Sequence, residues 1–221
     1  MPTFFLGLDL GQTADYSALI VAEKITPKPA RPPADSRPRY DIRHIERFPL
    51  GTPYPAIVDA TVAILERPEL GTDVRLIMDG TGVGRAPVDM FRTRIRQRAY
   101  PVTITNGDAV SKSDDGYFRV PKRDLVGVVQ VLLQSKRLRF AQGLQLVSLL
   151  TKELTNFHVK IDPETAHDSY SAWRTGVHDD LVLALALAVW AGESQHLFGR
   201  PMNAVAGGTR ATIGLPPRRR S

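Results

Sequence analysis

Asp9 closes an apolar run, Phe4-Phe5-Leu6-Gly7-Leu8, and Asp79 closes a second, Val74-Arg75-Leu76-Ile77-Met78. Asp179 and Asp180, preceded by His178, open a long Leu/Ala segment. Carboxylates are the hard oxygen ligands that Mg²⁺ and Mn²⁺ take, in near-octahedral geometry. Crowded together without a cation they repel, so a fold that gathers them must fix each on a rigid element. Two acids at strand ends and one at a helix start suit a pair of ions about 3.5–4 Å apart, one activating water and the other stabilising the leaving oxygen of a phosphodiester. Each piece has a plainer use. A strand-end Asp serves turns, and an Asp at a helix start serves as a cap or a dipole partner. The conjunction of all of them favours the metal site, with Asp9, Asp79, Asp179 and Asp180 as ligands and His178 as a ligand or general base.

The surrounding pattern must place those acids together. Phe4 to Leu10, Ser17 to Glu23 and Tyr40 to Phe48 read as three strands on short connections, an antiparallel meander whose third member suits a sheet edge. The Pro-rich stretch from Thr26 to Pro33 cannot pair in a ladder and reads as an exposed loop. Ile57, Val58, Thr61, Val62 and Leu65 fall at helical spacing within Ala56 to Arg67. Val74 to Asp79 is a short strand of buried type, Pro87 to Arg98 a helix, and Val102 to Thr105 a strand. Asn106 to Gly116 is polar and reads as a loop or hairpin tip. Lys122 to Ser135 and Leu144 to Phe157 are helices. Leu181 to Trp190 alternates Leu with Ala and so imitates a strand, but Ala is the best helix former and a poor strand former. It reads as a helix buried on all sides. The fold class is α/β: a meander continuing into parallel strands, flanked by helices. If the strands ending in Asp9 and Asp79 are parallel neighbours, both acids lie at the carboxyl edge where ligands bind. One domain over 1–198 and a flexible basic tail over 199–221 complete the expected organisation.

Composition narrows the chemistry. The chain of 221 residues has no cysteine, which excludes a disulfide scaffold, a thiolate zinc site and a cysteine nucleophile. The longest apolar run, Leu181 to Ala191, is about half of the ~20 residues a membrane span needs. The amino-terminal segment lacks a basic stretch of secretory type. A net charge of +6 suits a polyanionic partner, although Arg218-Arg219-Arg220 contributes part of it. Gly80-Thr81-Gly82-Val83-Gly84 reads as a tight turn rather than a phosphate cradle. Arg85, Arg92, Arg94, Arg96 and Arg98 spread around their helix and read mainly as a solvated face. Lys112, Lys122 and Arg123 flank the polar loop and, with Arg85, are the candidate phosphate contacts. His44, His158, His167 and His196 have no partners at metal spacing.

Several segments in order resemble the C-terminal nuclease domain of the large terminase subunit of tailed bacteriophages, a member of the RNase H-like superfamily. They are Gly7-Leu8-Asp9-Leu10-Gly11 with Asp15-Tyr16-Ser17-Ala18, Met78-Asp79-Gly80-Thr81-Gly82-Val83-Gly84 with Asp89, and His178-Asp179-Asp180-Leu181-Val182-Leu183-Ala184. The Val120-Pro121-Lys122-Arg123-Asp124-Leu125 and Glu153-Leu154-Phe157 segments also fit, so the likeness runs from Phe4 to Gly192. The resemblance implies endonucleolytic cutting of double-stranded DNA during viral packaging with two Mg²⁺ or Mn²⁺ ions, held by Asp9, Asp79 and Asp179 or Asp180. It also implies a packaging ATPase domain, a small terminase subunit and a portal as partners, no membrane, and the cytoplasm of the host as location. The chain departs from a complete large subunit in lacking a Gly-x-x-x-x-Gly-Lys-Ser/Thr loop, so no packaging ATPase is expected in it. Asp9-Leu10-Gly11-Gln12-Thr13 also resembles the first phosphate loop of actin-like and sugar-kinase ATPases. A Holliday-junction resolvase of related fold and a non-catalytic DNA-binding module are further readings of the same residues.

Overall fold

The computed structural model describes residues 3–11, 15–27, 37–82, 85–95, 98–160 and 178–198. The centre of the Pro-rich stretch, Gln12-Thr13, Val83-Gly84, Arg96, His167, the side chain of His158 and the tail 199–221 lie outside the described residues.

Strands β1 (Thr3–Asp9), β2 (Ser17–Ile25) and β3 (Arg39–Phe48) form the expected antiparallel meander. Helix α1 (Tyr54–Leu65) leads to β4 (Val74–Asp79), which pairs with β1 in parallel. Helix α2 (Arg85–Ile95) leads to β5 (Ala99–Thr105), parallel to β4. A hairpin of β6 (Ser111–Lys112) and β7 (Phe118–Pro121) follows, then α3 (Lys122–Gln134), β8 (Leu138–Phe140), α4 (Val147–Lys160) and α5 (Asp180–Glu193). The eight strands form one sheet in the order β6-β7-β5-β4-β1-β2-β3-β8. Among the described residues no helix is long and apolar enough to cross a membrane.

Three features of the sheet depart from the expected strands. β8 has three residues, one of them Arg139, and pairs with Tyr40–Ile42, so β3 is an edge only beyond that point. β5 begins at Ala99 rather than at Val102, although Pro101 argues against a strand there. The Arg98 carbonyl accepts from the Leu76 N–H of β4, and the Val102 carbonyl from the Gly80 N–H just beyond it. Alternation therefore turns the nitrogen of Pro101 to the other side, where β7 begins pairing only at Val102. The polar stretch from Asn106 to Gly116 holds β6 and the tip of the β6–β7 hairpin.

Each strand presents alternate residues to opposite faces. Phe4, Leu6 and Leu8 pack with Val58, Val62, Val88 and Phe91 of α1 and α2 on one face. Phe5, Ile20 and Ile77 pack with Leu125, Leu150 and Leu185 of α3, α4 and α5 on the other. The result is a sheet between two helical layers. Helix α5 is buried from Asp180 to Gly192, which explains a sequence without a polar face.

Gly7 sets how close α5 comes to the sheet. A Cβ on Gly7 would collide with the Ala184 carbonyl oxygen and stand 2.8 Å from the Ala188 nitrogen. Glycine on the strand and alanine one turn apart on the helix thus bring backbone against backbone. The far end of α5 is fixed as well. Lys24 Nζ donates to the Gly192 carbonyl at 2.6 Å and to Gln195 Oε1 at 3.0 Å, while Tyr40 and Arg137 donate to the Glu193 carboxylate. Gly7→Ala is expected to cost about 3 kcal/mol, the upper range of core overpacking. That lowers the melting temperature by roughly 6–12 °C for a chain of this size. A melt within a degree or two of the parent would show that α5 can lift without loss.

Candidate active site

A single row of residues crosses the sheet, with the start of α5 over its Arg47 and Asp9 side and the last turn of α5 against Phe118. Asp9 pairs with Ala18 on β2, and Ala18 with Arg47 on β3. On the other side Leu8 is in register with Met78, so Asp9 and Asp79 follow side by side on parallel strands. Asp79 is level with Val102, Val102 with Phe118, and Phe118 with Lys112. Residues opposite one another share a face. Ala18, Val102 and Phe118 belong to the α5 layer, so this row lies on that face. Neighbouring strands are about 4.8 Å apart, which sets the spacing of Asp9 and Asp79.

α5 runs antiparallel to β1. Ala184 lies over Gly7, and Gly192 meets Tyr40 near the other end of the sheet. Asp180, one turn before Ala184, is therefore carried to the Asp9 end and is buried. Asp179 is the N-cap residue, but its side chain makes no capping bond. The Leu181 N–H instead donates to Glu153 Oε2 of α4 at 3.2 Å. The turn after β4 is tight, as expected: Asp79 Oδ1 accepts from the Thr81 N–H at 2.8 Å, Thr81 Oγ1 accepts from the Ile104 N–H at 2.8 Å, and Gly82 has φ +81°.

The electrostatics report the crowding. Burial pushes the Asp9 carboxyl well above the ordinary carboxylate range, and the charges of Asp79, Asp180, Asp179 and Asp15 push it the same way. Burial also raises Asp180, against the hydrogen bond and charge of Arg47. Burial, helped by the Asp180 charge, pushes Glu153 up to about 7. Arg47 is the cation among them. Its Nη2 lies 2.5 Å from Asp180 Oδ1 and 3.7 Å from Glu153 Oε1, and its guanidinium stacks 3.9 Å from the Tyr16 ring centroid. His178 is exposed and sets its ring edge-on to Tyr16, 4.9 Å between centroids.

The sequence-predicted acids thus converge in one region. Among the described residues no three of the acids and histidines already form a cage that could hold a metal, and Asp180 turns one oxygen to Arg47. The donor set nevertheless fits Mg²⁺ or Mn²⁺ in kind: it is all carboxylate oxygen, and Asp180 Oδ2 is buried with no hydrogen-bond partner. Asp9, Asp79 and Asp180, with Asp179 beside them, are the residues that would hold the ions.

The basic candidates stand on the β5–β7 side of the row and at the start of α2. Lys112 is exposed, with Nζ 5.1 Å from the Phe118 ring centroid. Lys122 opens α3, and Arg123 beside it pairs with Asp108 at 2.8 Å. Arg85 pairs with Asp115 at 3.1 Å. Exposed pairs of this kind contribute little and yield readily to a stronger anion. Arg92 donates to the Asp115 carbonyl and lies over Tyr117, and Arg94 pairs with Asp59, in keeping with a solvated helix face.

Arg47, Glu153 and Tyr16 were not anticipated as site residues. Glu153 left a signal, since it stands three and four residues after Leu150 and Leu149, inside the apolar stripe of its helix. Arg47 left none within its alternating strand.

No protein-family model matches the chain, and a search of curated proteins finds no match. Solved structures do match. The large terminase nuclease from thermophilic phage G20c is 19% identical with a TM-score of 0.54, over 85% of this chain and 81% of that one. The human cytomegalovirus terminase nuclease domain, soaked with Mn, is 14% identical with a TM-score of 0.51, over 87% and 85%. The chain shares the fold of these nuclease domains, the RNase H-like arrangement that the sequence led one to expect.

Proposed function

We propose that the chain is a metal-dependent endonuclease that cuts double-stranded DNA in viral genome packaging. The observation that carries this reading is the placement of Asp9 and Asp79 side by side at a parallel strand edge, with Asp180 brought to the same end by α5. The shared fold with two terminase nucleases, one of them prepared with Mn, supports it. Bound there, two Mg²⁺ or Mn²⁺ ions would supply an activated water and stabilisation of the leaving 3′ oxygen. The residues of the chain do the rest. Asp9 and Asp79 offer carboxylates from rigid strands, and Asp180 offers Oδ2 from the first turn of a buried helix. Val102 and Phe118 continue the row beyond Asp79 as buried residues, and exposed Lys112 at its end is a candidate contact for a phosphate of the duplex. A packaging ATPase domain, a small terminase subunit and a portal are the partners this activity would require.

The purified chain is expected to nick and linearise supercoiled plasmid with Mg²⁺ or Mn²⁺, without ATP, and to be silent in EDTA. Cutting that persists in EDTA, or its absence with every divalent ion, would overturn the reading. ATP turnover lost on changing Asp9 would favour an actin-like enzyme instead.

Grip on DNA is expected to be electrostatic. Lys112→Ala should reduce the slope of log affinity against log salt by about 1 and weaken binding to all sequences alike. Fluorescence anisotropy with short duplexes across a salt series reads this directly. An unchanged slope would remove Lys112 from the contact surface.

A further inference from the structure

We infer that Arg47 is a positioning residue of the site: it holds one oxygen of Asp180 so that the other alone serves a metal ion. The inference rests on the nuclease reading and adds residues to it. Arg47 shares the cross-sheet row with Asp9 and is separated from it only by Ala18. Its Nη2 lies 2.5 Å from Asp180 Oδ1, while Asp180 Oδ2 is buried with no hydrogen-bond partner. Arg47 Nε and Glu153 Oε1 of the same cluster are likewise buried without hydrogen-bond partners, and a purely structural pair has no use for unsatisfied buried atoms, because they are costly. A metal ligand does, since a carboxylate fixed through one oxygen presents the other in a single direction.

Arg47 is itself held. Tyr16 covers one face of the guanidinium at 3.9 Å, and Glu153 stands 3.7 Å from Nη2. Glu153 Oε2 also accepts the Leu181 N–H, so the same carboxylate braces both the arginine and the first turn of α5. This explains how Asp179 can occupy the N-cap position without capping the helix through its side chain. A lysine could supply the charge but not a planar guanidinium stacked on the Tyr16 ring.

The test is Mn²⁺ binding to the whole chain by isothermal titration calorimetry, without DNA, for the parent, Arg47→Met and Arg47→Lys. Melting in EDTA is measured alongside. Loss of an outer partner of a metal ligand costs about 10–100-fold in affinity, and Arg47→Met should show a loss of that order. Arg47→Lys should recover only part of it. A lower melting temperature with unchanged Mn²⁺ affinity would make Arg47 an ordinary structural ion pair. Tighter binding would make it a competitor of the metal. Either result overturns the inference and leaves the nuclease reading standing. Should Arg47→Met fail to fold, Arg47→Lys decides alone, and parental affinity in it overturns the inference. A parent chain that binds no Mn²⁺ removes the nuclease reading itself.

Discussion

Replacing Asp9 or Asp79 by Asn is expected to lower Mn²⁺-dependent plasmid cutting at least about 100-fold, the upper range for losing even an outer partner of a metal ligand. Asn keeps the size and one oxygen but removes the charge that draws a divalent cation. The two positions are adjacent at the ends of parallel strands, so neither can be replaced by its neighbour without moving a strand. The fold should survive both changes. Asp9 also bears on the stability of the metal-free fold. Burial and the neighbouring acids raise its pKa on folding, so the folded chain binds that proton more tightly than the unfolded one. Ionisation of Asp9 therefore weakens the metal-free fold as pH climbs from the ordinary value of about 4 through the raised one. Asp9→Asn escapes that loss, so in EDTA at pH 8 it should melt no lower than the parent. Circular dichroism melts and a plasmid assay on the same preparations separate the two effects. Parental cutting by both variants would dismantle the site.

Most of this site could be read in the sequence, because its acids sit where periodicity breaks. Asp9 and Asp79 end apolar runs, and the Asp179-Asp180 pair precedes a helix with no polar face. The Leu/Ala segment is a helix despite its period of two because its composition favours one, and the structure gives the reason for the missing polar face: that helix is enclosed between the sheet and two further helices. What could not be read depends on contacts between distant segments. Arg47 and Asp180 are joined only through the register of β3 and the path of α5. The three-residue β8 exists because the chain after α3 passes beside Tyr40, not because Leu138-Arg139-Phe140 favours a strand. The basic candidates were recognised by type, but only the pairing of β6 with β7 places Lys112 on the same row as the carboxylates.

The second large effect is expected at the start of α5, where Asp180 and Asp179 should behave differently. Asp180 is buried against Arg47, whereas Asp179 is more open and its side chain caps nothing. Asp180→Ala leaves the part-buried Arg47 guanidinium without its hydrogen-bonded carboxylate, and breaking one partner of a buried pair costs at most about 3–5 kcal/mol. Lost cutting in that variant would therefore be ambiguous. Asp180→Asn resolves it, since the amide oxygen still accepts from Arg47 but offers a metal no charge. It should cut at least about 100-fold less than the parent, like a lost ligand, while losing far less stability than Asp180→Ala. Asp179→Ala should cost less stability than Asp180→Ala, because the Leu181 N–H is satisfied by Glu153 rather than by Asp179. Its cutting should fall by less than that of Asp180→Asn. The reverse order, parental cutting in Asp180→Asn and none in Asp179→Ala, would pass the ligand role to Asp179. Asp180 would then be only the residue that ties β3 to α5.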